Sequence, residues 1–241
     1  MVPADPAFFQ VIARRAGSRV LERIVPAGVA VAEVFGYGDD DGKIFPAELA
    51  AVAAAVPKRR GEFTAARVCA HRALELAGLP AVPIVPGPSR EPLWPDGVVG
   101  ILTHCDGYRA CAVGRSGVVA AIGIDAEPHA VLPEGVLAMV TSETERAALA
   151  GLAAADPATC WDRILFCAKE SVYKAWFPAT GRWLGFLDAE VTIDPAGCFT
   201  ARLAVPGPAI GGQPLTAYHG RWLVGSGLIL TSVTVGQREQ R

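Results

Sequence analysis

Residues Gly97 to Asp125 read GVVGILTHCDGYRACAVGRSGVVAAIGID. Three β-rich runs stand out, Gly97–Cys105, Arg109–Gly114 and Val118–Asp125, with Asp106-Gly107 and Arg115-Ser116-Gly117 between them. Both separators are tight-turn sequences, whereas a parallel connection needs a crossover of about a dozen residues or more. The segment therefore predicts an antiparallel meander of three strands.

Upstream, Phe63, Ala66, Ala70, Ala73, Leu74 and Ala77 recur at helical spacing, so a helix is expected from about Lys58 to Ala77, stopped by Gly78 and Pro80. Pro80–Pro95 is a proline-rich loop carrying Arg90, Glu91 and Trp94. Phe8, Phe9, Ile12, Val20, Leu21 and Ile24 suggest a further helix over Asp5–Ile24, followed by a Gly- and Asp-rich loop at Gly36–Gly42 and an alanine-rich segment opened by Pro46. Downstream the order repeats. Helical segments at Pro133–Val140, Ser142–Leu152 and Ala158–Phe177 precede strands at Leu187–Ile193, Phe199–Val205, Arg221–Val224 and Leu228–Val235. The resulting class is α+β, with two similar halves, each placing helices on a small antiparallel sheet. The boundary falls near 115–122, giving halves 1–120 and 121–241. No residue-level repeat is visible.

Composition narrows the function. A chain of 241 residues that is 51% hydrophobic can bury a sizeable core, which argues against disorder. Its 22 basic and 24 acidic residues leave a formal charge of −2, which is not the footprint of a nonspecific nucleic-acid binder, so an anionic ligand must be met by local cations. The most apolar run, Leu223–Val235, is too short to span a membrane, and the first residues show no signal-peptide pattern; a soluble cytoplasmic protein is expected. Six cysteines occur without a Cys-x-x-Cys pair, so neither zinc ligation nor a disulfide framework is expected.

Two constellations carry chemistry. Gly123-Ile124-Asp125-Ala126-Glu127-Pro128 ends the third β run, and alternation puts Asp125 and Glu127 on one face, where a divalent cation would offset their repulsion. All-oxygen ligation suits magnesium better than zinc. The second constellation is the helix Trp161–Trp176, in which Glu170 and Lys174 lie one turn apart and Lys169 adjoins them. Two cations and a carboxylate can hold phosphate oxygens while the acid ligates a metal or accepts a proton. Taken alone, the first reads more readily as two solvated acids at a strand end and the second as an ordinary surface ion pair.

In this order the two segments resemble the signature of the 4′-phosphopantetheinyl transferases of the larger, surfactin-activating type: a Gly-Ile-Asp-x-Glu strand end, then Phe166-Cys167-Ala168-Lys169-Glu170-Ser171-Val172-Tyr173-Lys174 on a helix. Lys58–Arg67 resembles the family's first basic helix. Arg90-Glu91-Pro92-Leu93-Trp94-Pro95 with Leu102-Thr103-His104-Cys105 resembles its central loop and strand, and Trp176-Phe177 with Arg182–Phe186 its actinobacterial branch. The resemblance implies transfer of the 4′-phosphopantetheine arm of coenzyme A to a serine of apo acyl or peptidyl carrier proteins, with release of adenosine 3′,5′-bisphosphate. It implies a two-half fold with the active site between the halves, and a monomer. Asp125, Glu127 and Glu170 would be magnesium ligands, with Glu170 also a candidate base. Lys169 and Lys174 would meet phosphate oxygens, and Arg59, Arg67 and His104 would hold the nucleotide part of coenzyme A.

Three points stay open on the residues themselves. Helical spacing puts Arg60, rather than Arg59, on one stripe with Arg67 and His71. Apart from the resemblance, His104 reads more readily as a hydrogen-bonded, half-buried strand-end histidine than as a ligand contact. Ile101 and Pro86 replace polar and basic residues of relatives, which implies a coenzyme A site with fewer cations. A magnesium-dependent phosphohydrolase and a catalytically silent binder of coenzyme A or carrier protein are the competing functions. The segments Pro128–Asp156 and Trp176–Phe186 are the expected carrier-facing surface.

Overall fold

A computed structural model describes residues 20–36 and 44–237. The helix expected over Asp5–Ile24 falls mostly outside the described residues; its described end is a single 3₁₀ turn, Leu21–Ile24. The rest of the Gly36–Gly42 loop beyond Gly36 also lies outside them.

The first sheet contains β1 (Val29–Phe35), β2 (Val98–Cys105) and β3 (Tyr108–Arg115), all antiparallel in the order β1-β3-β2. The Asp106-Gly107 hairpin joins β2 to β3 as expected. The third run does not continue the meander. β4 (Val119–Pro128) leaves for a second antiparallel sheet of order β4-β10-β9-β6-β5. The reason is edge occupancy: β1, a strand not anticipated from the sequence, pairs with β3 along its whole length, so both edges of β3 are filled. The rest of this sheet is β5 (Ala189–Asp194), β6 (Cys198–Leu203), β9 (Ala217–Gly225) and β10 (Leu228–Gly236), while β7 (Ala209–Ile210) and β8 (Gln213–Pro214) form a small separate ribbon.

Among the described residues, five α-helices accompany the sheets: α1 (Pro46–Ala51), α2 (Pro57–Leu76), α3 (Val136–Val140), α4 (Glu143–Ala155) and α5 (Trp161–Thr180). The layers run helix, sheet, sheet, helix. Cys69, Ala70, Ala73 and Leu74 of α2 pack on Ala32, Cys111 and Val113 of the first sheet. Ile164, Leu165, Ala168, Val172 and Trp176 of α5 pack on the second, against Phe199, Tyr218 and Ile229. Between the sheets, Ile122, Ile124 and Ala126 of β4 meet Ile101, Tyr108 and Ala110. Strand alternation then turns Ala121, Gly123 and Asp125 toward α5. No helix of the described residues is long and apolar enough to cross a membrane.

The two halves share a device that their residue identities conceal. Glu145, at the third position of α4, closes a capping box with Ser142: its Oε2 accepts from Ser142 N at 2.8 Å and Ser142 Oγ accepts from Glu145 N at 3.1 Å. The same carboxylate takes Val191 N at 2.7 Å and Lys169 Nζ at 2.9 Å. In the first half Glu48 of α1 takes Phe45 N at 2.8 Å and Ile84 N at 2.7 Å, with His71 Nε2 at 2.9 Å. Each fully buried glutamate thus ties a short helix to a 20-residue helix and to the chain that follows it.

Candidate active site

Gly123 explains why β4 and α5 lie so close. A Cβ at this position would stand 1.8 Å from Ser171 O and 2.9 Å from Ala175 N, so only hydrogen fits between strand and helix. This approach carries Asp125, two residues on, to Lys174, three residues beyond Ser171. Lys174 Nζ donates to Asp125 Oδ1 at 2.6 Å and to Thr103 Oγ1 at 3.2 Å, and Thr103 Oγ1 donates to the same carboxylate oxygen at 3.2 Å. Asp125 and Thr103 are both buried. Burial works against the charge on Lys174, but the charge and hydrogen bond of Asp125, with Cys167 and Glu170 behind them, outweigh it and raise the lysine pKa.

The other two acids stand within electrostatic reach. Burial, followed by the charge of Asp125, pushes the Glu170 carboxyl above the ordinary range, with Lys174 opposing and Glu127 reinforcing. Glu127 is raised for the same two leading reasons, opposed by Arg163 and Lys174. Its Oε2 accepts from Arg163 Nη1 at 3.0 Å, while Arg163 also donates Nε to Ala130 O at 3.0 Å and Nη2 to Val131 O at 2.8 Å. Asp125 Oδ2 is buried and has no hydrogen-bond partner. As they stand, no three acidic, histidine or cysteine side chains among the described residues are grouped to hold a metal ion.

Lys169 goes elsewhere. Its ammonium is buried in the Glu145 hub and also donates to Phe186 O at 2.6 Å, on the side of α5 that faces α4 and the start of β5. The expectation that it meets phosphate oxygens does not fit this placement: neighbouring helix positions point about 100° apart, so Lys169 and Glu170 cannot both face Asp125. Burial lowers the Lys169 pKa, with Glu145 opposing.

Two cavities, each of about 580 Å³, open on either side of Lys174. The first is lined by Arg59, Glu62, Phe63, Arg67, Leu102 and His104 among others. Arg67 lies over the Phe63 ring, 4.1 Å from its centroid, and donates Nε to Ile84 O. Arg59 is held loosely by Glu62 at 3.9 Å. Arg60 turns away, donating to Ala53 O at 2.8 Å, so Arg59 is the one that faces the cavity. His104 keeps solvent contact, yet the protein around it, followed by the Lys174, Arg59 and Arg109 charges and opposed by Glu62, lowers its pKa below 6.5. The second cavity is more apolar, walled by Trp94, Gly100, Ile101, Ile122, Tyr173 and Phe177 among others. A Cβ at Gly100 would collide with the Trp94 indole at 2.5 Å, so this glycine lets the ring lie flat on β2.

Arg59, Arg67, His104 and Lys174 thus line one cavity, Asp125 is bonded to Lys174 beside it, Glu170 and Glu127 reach this pair through their charges, and Lys169 is taken up by Glu145. Thr103 and Arg163 were not singled out from the sequence. For Arg163 a signal existed: residues 163, 170 and 174 are spaced by seven and four, the repeat of one helix face. Thr103 lies on the opposite side of β2 from His104, and only the approach of β4 makes it a partner for Asp125.

A cavity lined by cations beside a buried Asp–Lys pair is suited to holding a phosphate ester. Comparison with known proteins narrows the class. Residues 47–114 match the 4′-phosphopantetheinyl transferase N-terminal domain, and residues 121–225 match the 4′-phosphopantetheinyl transferase superfamily. The chain is 52% identical over 219 residues to the 4′-phosphopantetheinyl transferase Svp of Streptomyces mobaraensis, covering 90% of this chain and 89% of that protein. It is 48% identical over 222 residues to PptT of Mycobacterium tuberculosis, covering 90% and 96%, and 49% identical over 223 residues to Npt of Nocardia iowensis, covering 89% and 99%. The chain belongs to the 4′-phosphopantetheinyl transferase family.

Proposed function

We propose that this protein transfers the 4′-phosphopantetheine arm of coenzyme A to a serine of an apo carrier protein, with the reaction centred on Asp125, Glu170 and Lys174. We also assign it to the larger, surfactin-activating type, acting as a monomer in the cytoplasm, with residues 1–120 and 121–241 as its two halves. The tandem family matches and the passage of the chain from one sheet to the other between Arg115 and Val119 support that division.

The observation that carries the reading is the Asp125–Lys174 pair at the meeting point of a cationic cavity and an apolar one. Arg59, Arg67 and His104 suit the phosphorylated nucleoside, while Trp94, Ile101 and Phe177 suit the pantetheine chain. The diphosphate between them then lies beside Lys174. The serine oxygen bonds to the pantetheine-side phosphorus, the bond from that phosphorus to the bridging oxygen breaks, and adenosine 3′,5′-bisphosphate leaves with the bridging electrons. Glu170, whose raised pKa makes it a better base than an ordinary carboxylate, accepts the serine proton. Lys174 follows the charge that develops on the leaving phosphate.

Magnesium fits this site by its chemistry. Three carboxylates repel one another there, and Asp125 Oδ2 is a buried oxygen with no donor. Asp125, Glu127 and Glu170 would hold the ion, which would neutralise the diphosphate. Arg163 holds Glu127 at the end of β4 in the meantime.

The test is incubation with coenzyme A, magnesium and an apo carrier protein, followed by intact mass. A carrier gain of roughly 340 Da, the phosphopantetheine arm, is expected. Hydrolysis of coenzyme A without carrier modification would assign a phosphohydrolase instead, and binding without turnover a silent binder. Acyl carriers of fatty-acid and polyketide synthesis and peptidyl carriers are the substrates to try.

A further inference from the structure

We propose that Arg90 is a diphosphate-clamping residue, held over the junction of the two cavities by a strained hairpin. The inference rests on the coenzyme A reading above.

The loop between α2 and β2 folds on itself. Leu93 N donates to Val85 O at 2.9 Å, Gly87 N to Glu91 O at 2.7 Å and Arg90 N to Gly87 O at 2.9 Å, with a bridge between Pro86 and Pro92. At its tip Arg90 adopts φ 67°, the left-handed region in which a Cβ is unfavourable. Glycine or asparagine is the ordinary choice for such a turn position. An arginine kept there at a conformational cost needs a return that the fold does not supply: among the described residues, no hydrogen bond, ion pair or ring contact engages its guanidinium, and the side chain is exposed.

The position indicates what that return is. Arg90, Pro92 and Lys174 are the three residues that line both cavities. A diphosphate joining a nucleoside in one to a pantetheine chain in the other must pass this junction. Lys174 is engaged there by Asp125 at 2.6 Å. Arg90 is also the only basic residue between Pro80 and Pro95, where Pro86, Pro88 and Ser89 bring no charge. Its planar fork matches two phosphate oxygens at once.

Binding of coenzyme A and of adenosine 3′,5′-bisphosphate, which lacks the pantetheine-side phosphate, would be measured by calorimetry at low and high salt for the wild type, Arg90→Gly and Arg90→Asn. Both replacements suit φ 67°, so the melting temperature is expected to hold or rise. Coenzyme A affinity should fall about ten- to a hundredfold, the size expected for hydrogen bonds to a charged group. The bisphosphate should lose less than about threefold, and the salt dependence for coenzyme A should flatten. Wild-type-like coenzyme A affinity in either folded variant, or equal losses for both ligands, would overturn the clamp. A wild-type protein that neither binds coenzyme A nor modifies a carrier would instead overturn the underlying functional reading.

Discussion

Replacing Gly123 by alanine should damage both stability and catalysis, because one methyl group would stand where α5 meets β4. Its carbon would lie 1.8 Å from Ser171 O, with Ala175 N and Ser171 C each at 2.9 Å. Non-bonded atoms settle at about 3.5 Å, so strand and helix must part by roughly 1.5 Å. Overpacking costs about 1–3 kcal/mol when side chains can yield. Here the obstacle is helix backbone, so a loss near 3 kcal/mol or more is expected, which lowers the melting temperature by roughly 6–12 °C in a chain of this size. The same displacement carries Lys174 away from Asp125 and Glu170 away from the reacting serine. A shift on the order of 1 Å costs about a hundredfold in rate. The assay is urea denaturation together with kcat measured below the melting point, where the variant is folded, using the carrier mass shift as the readout. A variant that melts within about 2 °C of the wild type and keeps its kcat would show that the Gly123 contact does not set the site.

Three further outcomes are expected. Lys169→Met leaves Glu145 charged and buried without its ammonium partner, so urea denaturation should show a loss of about 3–5 kcal/mol, while the KM for coenzyme A of the folded variant stays close to that of the wild type; a large rise in KM at unchanged stability would return Lys169 to the phosphates. Glu170→Gln should abolish carrier modification yet raise the melting temperature of the metal-free protein at pH 7. The wild-type carboxyl, whose pKa is raised on folding, is penalised once it ionises. Below 4.5, where the acid is protonated folded or unfolded, the two proteins should melt alike, and a variant less stable at pH 7 would contradict the burial argument. His104, with its pKa held below 6.5, gains charge only on acidification, so coenzyme A affinity should strengthen as pH falls through that range and the effect should vanish in His104→Asn; a pH profile unchanged by that replacement would remove His104 from the phosphate wall.

Much of the fold was legible where local pattern and tertiary role agree. The α2 and α5 periodicities give helices that the structure shifts by one and by three residues, and the Asp106-Gly107 turn gives the β2–β3 hairpin. Where they disagree, the sequence misleads. Arg115-Ser116-Gly117 reads as a hairpin turn, yet whether it makes one depends on a distant strand, β1, already occupying the free edge of β3. For the site, the two acidic motifs could be read and helix spacing put Arg163 on the face of Glu170 and Lys174, but the engagement of Asp125 with Thr103 could not be read, because that partner comes from a strand of the other sheet. Lys169 shows the opposite error. A lysine beside Glu170 looks like a second phosphate ligand until helix geometry sends it to the buried Glu145. Arg59 and Arg60 differ for a similar reason, since the carbonyls of Ala53 and Ala55, in the turn between α1 and α2, take up the one that periodicity favours.

Glu48 and Glu145 perform the same joinery in each half, with an imidazole as the partner in one and an ammonium in the other. Each long helix is therefore anchored within its own half, and a change that severs one joint leaves the other intact.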